Sequence, residues 1–243
     1  STTPVNQLPR SNILFSNFIR CSEIQLSQII DAGFTYSIIE NDFKCFPGRI
    51  VENPYMDNGI CRSLRFTNFY KHAKNVFTVS TKQFEILKKN LPQETNLVNL
   101  GISIWSGEDM AYIAKVANNI QPYKKLFEDV YLLHGTSIAT KGLNAGINYS
   151  SSKNKIISIL PNTDKKTFIN NLAKGETFVF LPEITESYSR VTVEAKMLHN
   201  NIITNDKVPS AQEDYIKNFA GLELIKEVSN KLESTIKLLK ELI

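Results

Sequence analysis

Cysteine, histidine and tryptophan are scarce in this chain of 243 residues, which has three cysteines, three histidines and one tryptophan. The cysteines, Cys21, Cys45 and Cys61, are odd in number and form no C-x-x-C pair. The sequence therefore supports neither a disulfide framework nor a thiolate zinc site, and we expect reduced structural thiols. No two histidines have metal-ligand spacing, so no metal site is predicted; His134 ends a predicted strand, where we expect a structural histidine.

Long apolar runs are also missing. No stretch approaches the roughly 20 residues that span a bilayer. The first residues lack the basic, apolar and small-residue sections of a signal peptide. The expectation is therefore a cytoplasmic protein without a transmembrane segment.

Concentrated charge and the dinucleotide motif are absent too. The formal net charge of +4 is modest and scattered, unlike the basic surface of a nucleic-acid-binding protein, so no nucleic-acid partner is predicted. This charge would suit an anionic ligand or peripheral contact with a charged membrane surface. No G-x-G-x-x-G lies between a predicted strand and helix, which disfavours a dinucleotide-dependent oxidoreductase.

The composition is that of a folded protein, with 42% hydrophobic and 21% charged residues. Runs of β-branched and aromatic residues alternate with helical spacing, which predicts an α/β fold with parallel sheets. The length predicts two domains, and an apolar stripe near the C-terminus predicts a helix that packs across both. The predicted parts are an N-terminal domain at 1–106, a helical connector at 107–128, a C-terminal domain at 129–221 and a final helix at 222–243.

The same patterns predict individual elements. In the first domain they predict strands at 12–15, 36–39, 75–80 and 96–100, helices at 23–31, 62–74 and 81–90, and a long loop at 41–59. In the second domain they predict strands at 130–134, 155–160, 177–181 and 201–204, and helices at 142–149, 164–173 and 189–199.

Two glutamates, Glu186 and Glu194, are the most informative feature, and seven residues separate them. If Ser189 caps the predicted helix, Glu194 projects from its apolar face. An ionised carboxylate in that position needs a partner, and the hydroxyl pair of a ligand could satisfy both oxygens. The alternative is a salt bridge to Arg190 or Lys196.

Two predicted loops lie at the carboxyl ends of strands in the second domain, where open parallel sheets bind ligands. The loop at 186–189 leads to a helix N-terminus, which favours a phosphate; the alternative is a plain connection. The loop at 135–142 places Lys141 at the same edge as Glu186. Lys141 could by itself be a solvated side chain, and the agreement of the two loops favours a ligand role.

The segment 181–206 resembles the signature of the retaining GT-B glycosyltransferases of family 4, in which Glu, seven residues and Glu-Ala precede an apolar strand. The loop from Gly135 to Gly142 is similar to that family's diphosphate loop. The resemblance implies a GT-B fold and transfer of a sugar, with retained configuration, from a nucleotide-diphosphate sugar to an acceptor that the sequence does not identify. It also implies that the two domains are Rossmann-like. It implies neither a metal nor another cofactor, because the protein would stabilise the leaving diphosphate electrostatically.

The resemblance also implies roles for single residues. Glu194 would hold the ribose hydroxyls, Glu186 the hydroxyls of the transferred sugar as a catalytic residue, and Lys141 the diphosphate. The other implied donor-binding residues are Gly135, Thr136, Ser187, Tyr188, Ser189, Arg190, Val191 and Thr192.

Thr136 stands where the family usually has arginine. The loss of one charge-assisted contact of about 1.5 to 3 kcal/mol would weaken donor binding roughly ten- to hundredfold, unless Arg190 substitutes.

The first domain departs from the family pattern. No glycine-rich loop precedes Asn12, so we expect a shortened N-terminal domain. The segment 40–44 stands where the family often has a histidine near the reaction centre. Asp42 is the catalytic candidate there, and Lys44 and Arg49 are candidates for acceptor or phosphate contact, with a solvated loop cluster as the alternative.

Three functions are therefore considered. The first is a retaining glycosyltransferase. The second is a degenerate protein of the same fold that binds a nucleotide or glycan without turnover, which Thr136 and the short first domain motivate. The third is a sugar-nucleotide epimerase, which would convert its donor with no acceptor present.

Overall fold

The structure is a computed structural model that describes residues 12–120, 130–135 and 138–243. The chain divides into two compact units. The first comprises the described residues up to 103 together with 234–243, and the second comprises those from 104 to 233. Both units are α/β with parallel sheets, as predicted. The predicted domain boundaries at 106, 128 and 221 stay predictions.

The first unit contains six strands and three α-helices within its described part, besides the end of the final helix. The strands are β1 (Ile13–Phe15), β2 (Tyr36–Glu40), β3 (Met56–Asp57), β4 (Ile60–Cys61), β5 (Val76–Thr78) and β6 (Leu97–Asn99). The helices are α1 (Glu23–Asp31), α2 (Thr67–Lys71) and α3 (Thr81–Asn90). Four strands form a parallel sheet in the order β1-β2-β5-β6, which follows the chain, and β3 pairs with β4 as a separate antiparallel hairpin.

Local capping explains why α1 and α3 have the predicted bounds. Ser22 Oγ accepts from the Gln25 N–H at 3.2 Å, and Gln25 Oε1 accepts from the Ser22 N–H at 2.8 Å, which is a capping box. Ser80 Oγ accepts from the Gln83 N–H at 3.1 Å and so caps α3. Both starts are therefore encoded by residues next to the helix.

Two predictions for the first unit were wrong in extent. The helix predicted at 62–74 covers only Thr67–Lys71, because Phe66 before it has a left-handed backbone (φ 58°) and is buried. The loop predicted at 41–59 contains strand β3, which turns into β4 through Asn58 and Gly59, both with positive φ. The other predicted strands and helices that lie within the described residues have ends shifted by at most three residues.

The second unit contains four strands and five α-helices within its described part, besides the start of the final helix. The strands are β7 (Val130–His134), β8 (Ile156–Leu160), β9 (Thr177–Phe180) and β10 (Asn201–Thr204). The helices are α4 (Gly107–Ile120), α5 (Leu143–Ser152), α6 (Lys165–Leu172), α7 (Arg190–Met197) and α8 (Asp214–Asn218). Residues 121–128 of the predicted connector lie outside the described residues.

The strand order of the second sheet differs from that of the first. All four strands are parallel, in the order β8-β7-β9-β10. Strands β8 and β9 therefore lie on opposite sides of β7, and the chain reverses its direction across the sheet between them. This is a topological switch point, and in open α/β sheets the crevice at the carboxyl ends of the strands beside it binds ligands.

The final helix, α9 (Gly221–Leu242), confirms the prediction of a long C-terminal helix. Its residues up to 233 belong to the second unit and the later ones to the first. Leu224, Val228 and Leu239 are buried on its apolar stripe. Within the first unit, Asn75 Nδ2 donates to the Leu242 carbonyl at 2.9 Å. No helix among the described residues combines the length and apolar character needed to cross a membrane.

Candidate functional site

The loops that follow β7 and β9 are joined at the switch point of the second sheet. The Glu183 N–H donates to the Thr140 carbonyl at 2.8 Å. Gly142 has a φ of +73°, and a Cβ at this position would lie 1.8 Å from the Leu181 carbonyl oxygen. Only glycine permits so close an approach with this backbone, so Gly142 sets the spacing of the two loops.

A second glycine, Gly135, brings the start of the β7 loop against the end of β8. Its N–H donates to the Leu160 carbonyl at 2.9 Å. A Cβ on Gly135 would lie 2.4 Å from that oxygen. The loop therefore needs glycine at 135 for packing, whatever it binds; Thr136 lies outside the described residues.

The two loops bring together Lys141 and Glu186, the residues predicted for the diphosphate and the transferred sugar. Lys141 Nζ lies 2.6 Å from Glu186 Oε1 and 2.8 Å from Oε2. Both side chains are partly buried. An ammonium and a carboxylate at one place can meet a ligand that carries an anionic group beside hydroxyls.

The β9 loop is held from its other side by the segment after β10. The Glu186 N–H donates to the Lys207 carbonyl at 2.9 Å, and the Ser210 N–H donates to the Tyr188 carbonyl at 3.0 Å. Ser210 Oγ also donates to the Ser189 carbonyl at 3.1 Å, and both Tyr188 and Ser210 are buried. The predicted donor loop is thus fixed by backbone hydrogen bonds, which is what preorganised binding requires.

Helix α7 begins after Ser189, as predicted, although Ser189 does not act as a side-chain cap. Ser189 has a φ of 73°, and its Oγ lies 2.9 Å from Thr192 Oγ1 with no side-chain hydrogen bond to the helix backbone within the described chain. The exposed Arg190 donates to the Ile104 carbonyl at 3.3 Å. The first N–H groups of a helix lack intrahelical acceptors, and the first turn of α7 carries no acidic residue. Both features suit an anion.

Glu194 lies one turn into α7 and is buried, with 2% of its side chain exposed. Its Oε1 accepts from Trp105 Nε1 at 3.0 Å and also from Lys165 Nζ. The expected partner of a buried carboxylate is therefore present. It is neither Arg190 nor Lys196, the two cations that the alternative interpretation named.

Sequence reasoning missed Trp105 and Lys165. Lys165 is the first residue of α6, directly after the N-cap Asp164, so it follows β8 just as Lys141 follows β7. The connection after β8 is the third one at this edge of the sheet, and a search of it for charged residues could have found Lys165. Trp105 offered no local signal, because 89 positions separate it from Glu194.

His134, the last residue of β7, is not the satisfied structural histidine that was expected. Its Nδ1 is buried and has no hydrogen-bond partner among the described residues. Its ring centroid lies 5.6 Å from that of Phe168 on α6. Burial, and then the charge of Lys141, lower the pKa of His134. Both causes disfavour the protonated imidazole at this edge of the sheet.

Comparisons with known proteins agree with this architecture. A scan against protein-family models and a search of curated proteins found no match. Among solved structures, HepE of Anabaena in complex with UDP matches with a TM-score of 0.50 at 13% identity, over 95% of this chain and 71% of that one. Sucrose-phosphate synthase of Thermosynechococcus elongatus matches with a TM-score of 0.59 at 11% identity, over 93% and 65% of the two chains.

A third match is the UDP-forming α,α-trehalose-phosphate synthase of Burkholderia vietnamiensis, with a TM-score of 0.57 at 7% identity, over 98% of this chain and 72% of that one. All three matched proteins are GT-B glycosyltransferases. The fold is GT-B. This confirms the predicted fold class, and at such low identities the likeness establishes the fold alone.

In the first GT-B unit, Lys44 is buried rather than part of a solvated loop cluster. Lys44 Nζ donates to Glu40 Oε1 and to Asn41 Oδ1, both at 2.8 Å. Glu40 is fully buried, and burial raises its pKa, an effect that the nearby Lys44 opposes. By contrast, Asp42 and Arg49 form a surface ion pair at 2.8 Å. Of the three candidates in this loop, only Asp42 and Arg49 reach solvent.

A cavity of about 530 Å³ lies elsewhere in the second GT-B unit, at the carboxyl end of α7. Lys196, His199, Lys217 and Glu223 are among the side chains that line it. Lys196 Nζ donates to the Lys217 carbonyl at 2.9 Å, and burial lowers the pKa of Lys196. The predicted donor residues lie at the opposite end of α7, so this cavity is not part of the candidate site.

Proposed function

We propose that this protein is a retaining glycosyltransferase of the family 4 type, which transfers a sugar from a nucleotide-diphosphate donor without a metal. The observation that carries the proposal is the placement of Glu186, Lys141 and Glu194 at the switch point of the second sheet. These are the residue types that a nucleotide-diphosphate sugar requires, since it joins hydroxyl groups to an anionic diphosphate.

Each part of the donor has a proposed partner. Lys141 binds the diphosphate, and Glu186 beside it accepts hydrogen bonds from the hydroxyls of the sugar, which is attached to that diphosphate. Glu194 accepts from the ribose hydroxyls. The N-terminus of α7, with Arg190 in its first turn, adds positive potential and substitutes for the arginine that is missing at position 136.

The leaving diphosphate is stabilised electrostatically in this mechanism. As the sugar–oxygen bond breaks, negative charge grows on the diphosphate oxygens, and fixed cations and N–H groups lower the free energy of that state more than that of the ground state. The β9 loop suits this role because its backbone is held on both sides. Residues that are already in place need no reorganisation during the reaction.

The acceptor side is proposed to involve the loop after β2 in the first unit. Asp42 is the catalytic candidate there, and Arg49 the candidate for phosphate or acceptor contact, because both reach solvent. Lys44 is enclosed with Glu40, so its predicted direct contact with a ligand is not carried into this proposal.

The first ligands to test are UDP and UDP-glucose, because HepE structures of the same fold are described in complex with UDP and with UDP-glucose. A thermal-shift panel of UDP, GDP and ADP and their glucose conjugates identifies the preferred nucleotide. A ligand at about 100 times its Kd adds about 2.7 kcal/mol to the free energy of unfolding. Absence of any shift across the panel would contradict the proposal.

Calorimetry on variants then tests the site. Glu194→Ala and Lys141→Ala are each expected to weaken binding of the preferred nucleotide sugar about ten- to hundredfold, since each removes a charge-assisted contact. Glu108→Ala and Lys166→Ala are matched controls, because these residues form an exposed ion pair at 3.1 Å in the same unit. Unchanged affinity in both site variants would sink the assignment.

Turnover separates this function from its rival. UDP release from UDP-glucose in the presence of EDTA, with water or a sugar panel as acceptor, tests metal-independent transfer, and NMR of the product anomer tests retention. The rival is a protein that binds the same ligand without turnover, which Thr136 in the place of the family's arginine favours. Binding without product across the panel would support the rival.

A further inference from the structure

The cavity at the carboxyl end of α7 contains a lysine whose charge no carboxylate among the described residues balances. Lys196 is partly buried, and its Nζ donates to the carbonyls of Ile216 and Lys217, the latter at 2.9 Å. These acceptors are neutral. Burial lowers the pKa of Lys196, because a charge that leaves water without a counter-ion is unfavourable. An anion in the cavity would supply that counter-ion.

Capping of α8 explains only part of this arrangement. Ile216 and Lys217 lie in the last turn of α8, where a lysine can bond to the terminal carbonyls. An ammonium has three N–H groups, and the two carbonyls accept from two of them. The third N–H of Lys196 has no acceptor among the described residues. It is therefore available to a group inside the cavity.

The rest of the lining combines positive charge with apolar side chains. Lys217 Nζ lies 3.7 Å from Asp214 Oδ1, and both side chains are exposed, so this ion pair is weak. Among the described residues that line the cavity, Glu223 is the one carboxylate, and it is exposed. Phe219 and Leu222 also line it, with 36% and 44% of their surface exposed. The lining thus suits a ligand that joins an anionic group to an apolar one.

The size of the cavity narrows the class of ligand. Its volume of about 530 Å³ falls within the range of roughly 300 to 1,000 Å³ that small-molecule sites have. A bare inorganic anion would leave Phe219 and Leu222 uncovered. A phosphate monoester carries a charge of about −1.5 to −2 at pH 7 and three acceptor oxygens. It therefore matches two lysines better than a carboxylate with a single charge does.

We infer that this cavity is a second ligand site, which binds a phosphate monoester with an apolar organic part. The phosphate oxygens accept from Lys196 and Lys217, and the organic part lies against Phe219 and Leu222. The site is separate from the candidate donor site, which lies at the other end of α7. Binding here does not depend on the proposed glycosyl transfer.

The test is calorimetry with phenyl phosphate as the probe, in a buffer free of phosphate. Lys196→Met is expected to weaken binding about ten- to hundredfold, since it removes a charge-assisted contact. The more exposed Lys217→Met should weaken it about two- to fivefold. Lys166→Met is the matched control, because Lys166 is an exposed lysine of the same unit outside this cavity. Wild-type affinity in both cavity variants, or no binding to the wild-type protein at millimolar concentrations, would overturn the inference.

A second arm separates this cavity from the donor site. Lys141→Met removes the cation proposed for the diphosphate and is expected to leave the affinity for phenyl phosphate unchanged. Loss of binding in Lys141→Met, with full binding in Lys196→Met, would mean that the probe occupies the donor site, and the inference would fall. Failure of the proposed function would be seen instead in the nucleotide panel, which this titration does not use.

A third arm tests the apolar part of the site. Phe219→Ala is expected to weaken binding of phenyl phosphate about two- to tenfold, because an aromatic contact is lost. Binding of inorganic phosphate should be weaker than that of phenyl phosphate in the wild-type protein and should not change in Phe219→Ala. Equal affinity of the wild-type protein for the two anions would contradict an organic ligand.

A last measurement needs no variant, since Lys196→Met also removes the hydrogen bonds to α8. Acetic anhydride labels lysine amines, and mass spectrometry reports the labelling of each site. Saturating phenyl phosphate is expected to protect Lys196 and Lys217 from acetylation, while Lys166 is labelled equally with and without the probe. Unchanged labelling of both cavity lysines would overturn the inference.

Discussion

Each unit buries one glutamate against a lysine, and the two pairs differ in their access to solvent. In the first unit, Glu40 has 0% and Lys44 3% of the side chain exposed, so both charges are enclosed. In the second unit, Glu194 is equally buried, but Lys165 is 37% exposed. We call Lys44–Glu40 the closed pair and Lys165–Glu194 the open pair. The closed pair can only stabilise the fold, whereas in the open pair the glutamate can exchange its lysine partner for a ligand.

The two sheets also differ in strand order. The strands of the first sheet follow chain order, so its described strands contain no switch point. The second sheet reverses between β7 and β9. The open pair, Lys165–Glu194, belongs to the unit whose sheet has a switch point. The closed pair, Lys44–Glu40, belongs to the unit whose described strands have no switch point. Local pairing and strand order thus both support the proposal that the second unit binds the ligand.

The largest effect is expected from breaking the closed pair. Lys44→Met leaves Glu40 buried without its cation, although the Tyr70 hydroxyl and the Asp42 N–H still donate to it. Removing one member of a buried pair costs about 3 to 5 kcal/mol. Urea denaturation should show a loss of this size in the free energy of unfolding, with the nucleotide Kd unchanged.

The control for that experiment is Lys71→Met, because Lys71 and Glu94 form an exposed pair at 3.2 Å in the same unit. Such pairs contribute about 0 to 1 kcal/mol. If Lys44→Met destabilised the protein no more than Lys71→Met does, the distinction between closed and exposed pairs would fail.

The next effect concerns the loops that form the crevice. Gly142→Ala places a methyl group against the Leu181 carbonyl in a left-handed backbone. The backbone strain of about 1 to 2 kcal/mol and the overlap together should destabilise the protein by about 2 to 3 kcal/mol. Because the β7 and β9 loops must move apart, nucleotide affinity measured by calorimetry should fall as well.

Gly48→Ala is the matched control, since Gly48 also has positive φ (62°) but a Cβ there would meet only Ile50 at 3.7 Å. Gly48→Ala should lower the free energy of unfolding only by the backbone strain, and nucleotide affinity should stay unchanged. Equal affinity in Gly142→Ala and the wild-type protein would show that loop spacing does not set the site.

A smaller loss of stability is expected from breaking the open pair. Lys165→Met removes a cation that water can partly replace, and Trp105 still donates to Glu194. We expect a loss of about 1 to 2 kcal/mol in the free energy of unfolding, between the values for exposed and enclosed pairs. A loss as large as that of Lys44→Met would mean that the second pair is also a closed structural one.

The fold followed from local signals wherever those signals are complete. Helices α1 and α3 have the predicted bounds because Ser22 and Ser80 cap them. The β3–β4 hairpin was missed although Asn58-Gly59 is a strong hairpin turn signal, because the strands it joins have two residues each. The strand order of the second sheet has no local signal, so the switch point emerged only from the structure.

The candidate site was likewise predictable only where local signals place its residues. Lys141 and Glu186 were expected at one edge because each follows a parallel strand, and the structure pairs them. The partners of Glu194 come from positions 29 and 89 residues away. Burial demanded a partner there, but a sequence pattern cannot say which distant residue packing supplies.

The smallest effect is a pH dependence that originates in the second unit. The pKa of His134 is lowered in the folded protein by burial and by Lys141. Between the ordinary pKa of histidine and this lowered value, the unfolded chain binds a proton that the folded protein does not. The stabilisation is therefore present above the ordinary value, near 6.5, and is lost as pH falls below it.

His134→Asn tests this by removing the titrating group while keeping a polar side chain. Urea denaturation from pH 7.5 to pH 5 should show that the wild-type protein loses more stability on acidification than the variant does. Lys141→Met should lessen the wild-type dependence, because the second cause of the lowered pKa is its charge. His72→Asn is the control, since His72 is exposed on the first unit, and this variant should keep the pH dependence of stability seen in the wild-type protein.

A steeper loss of stability on acidification in His134→Asn than in the wild-type protein would contradict the assignment of this dependence to His134, because a neutral side chain binds no proton in either state.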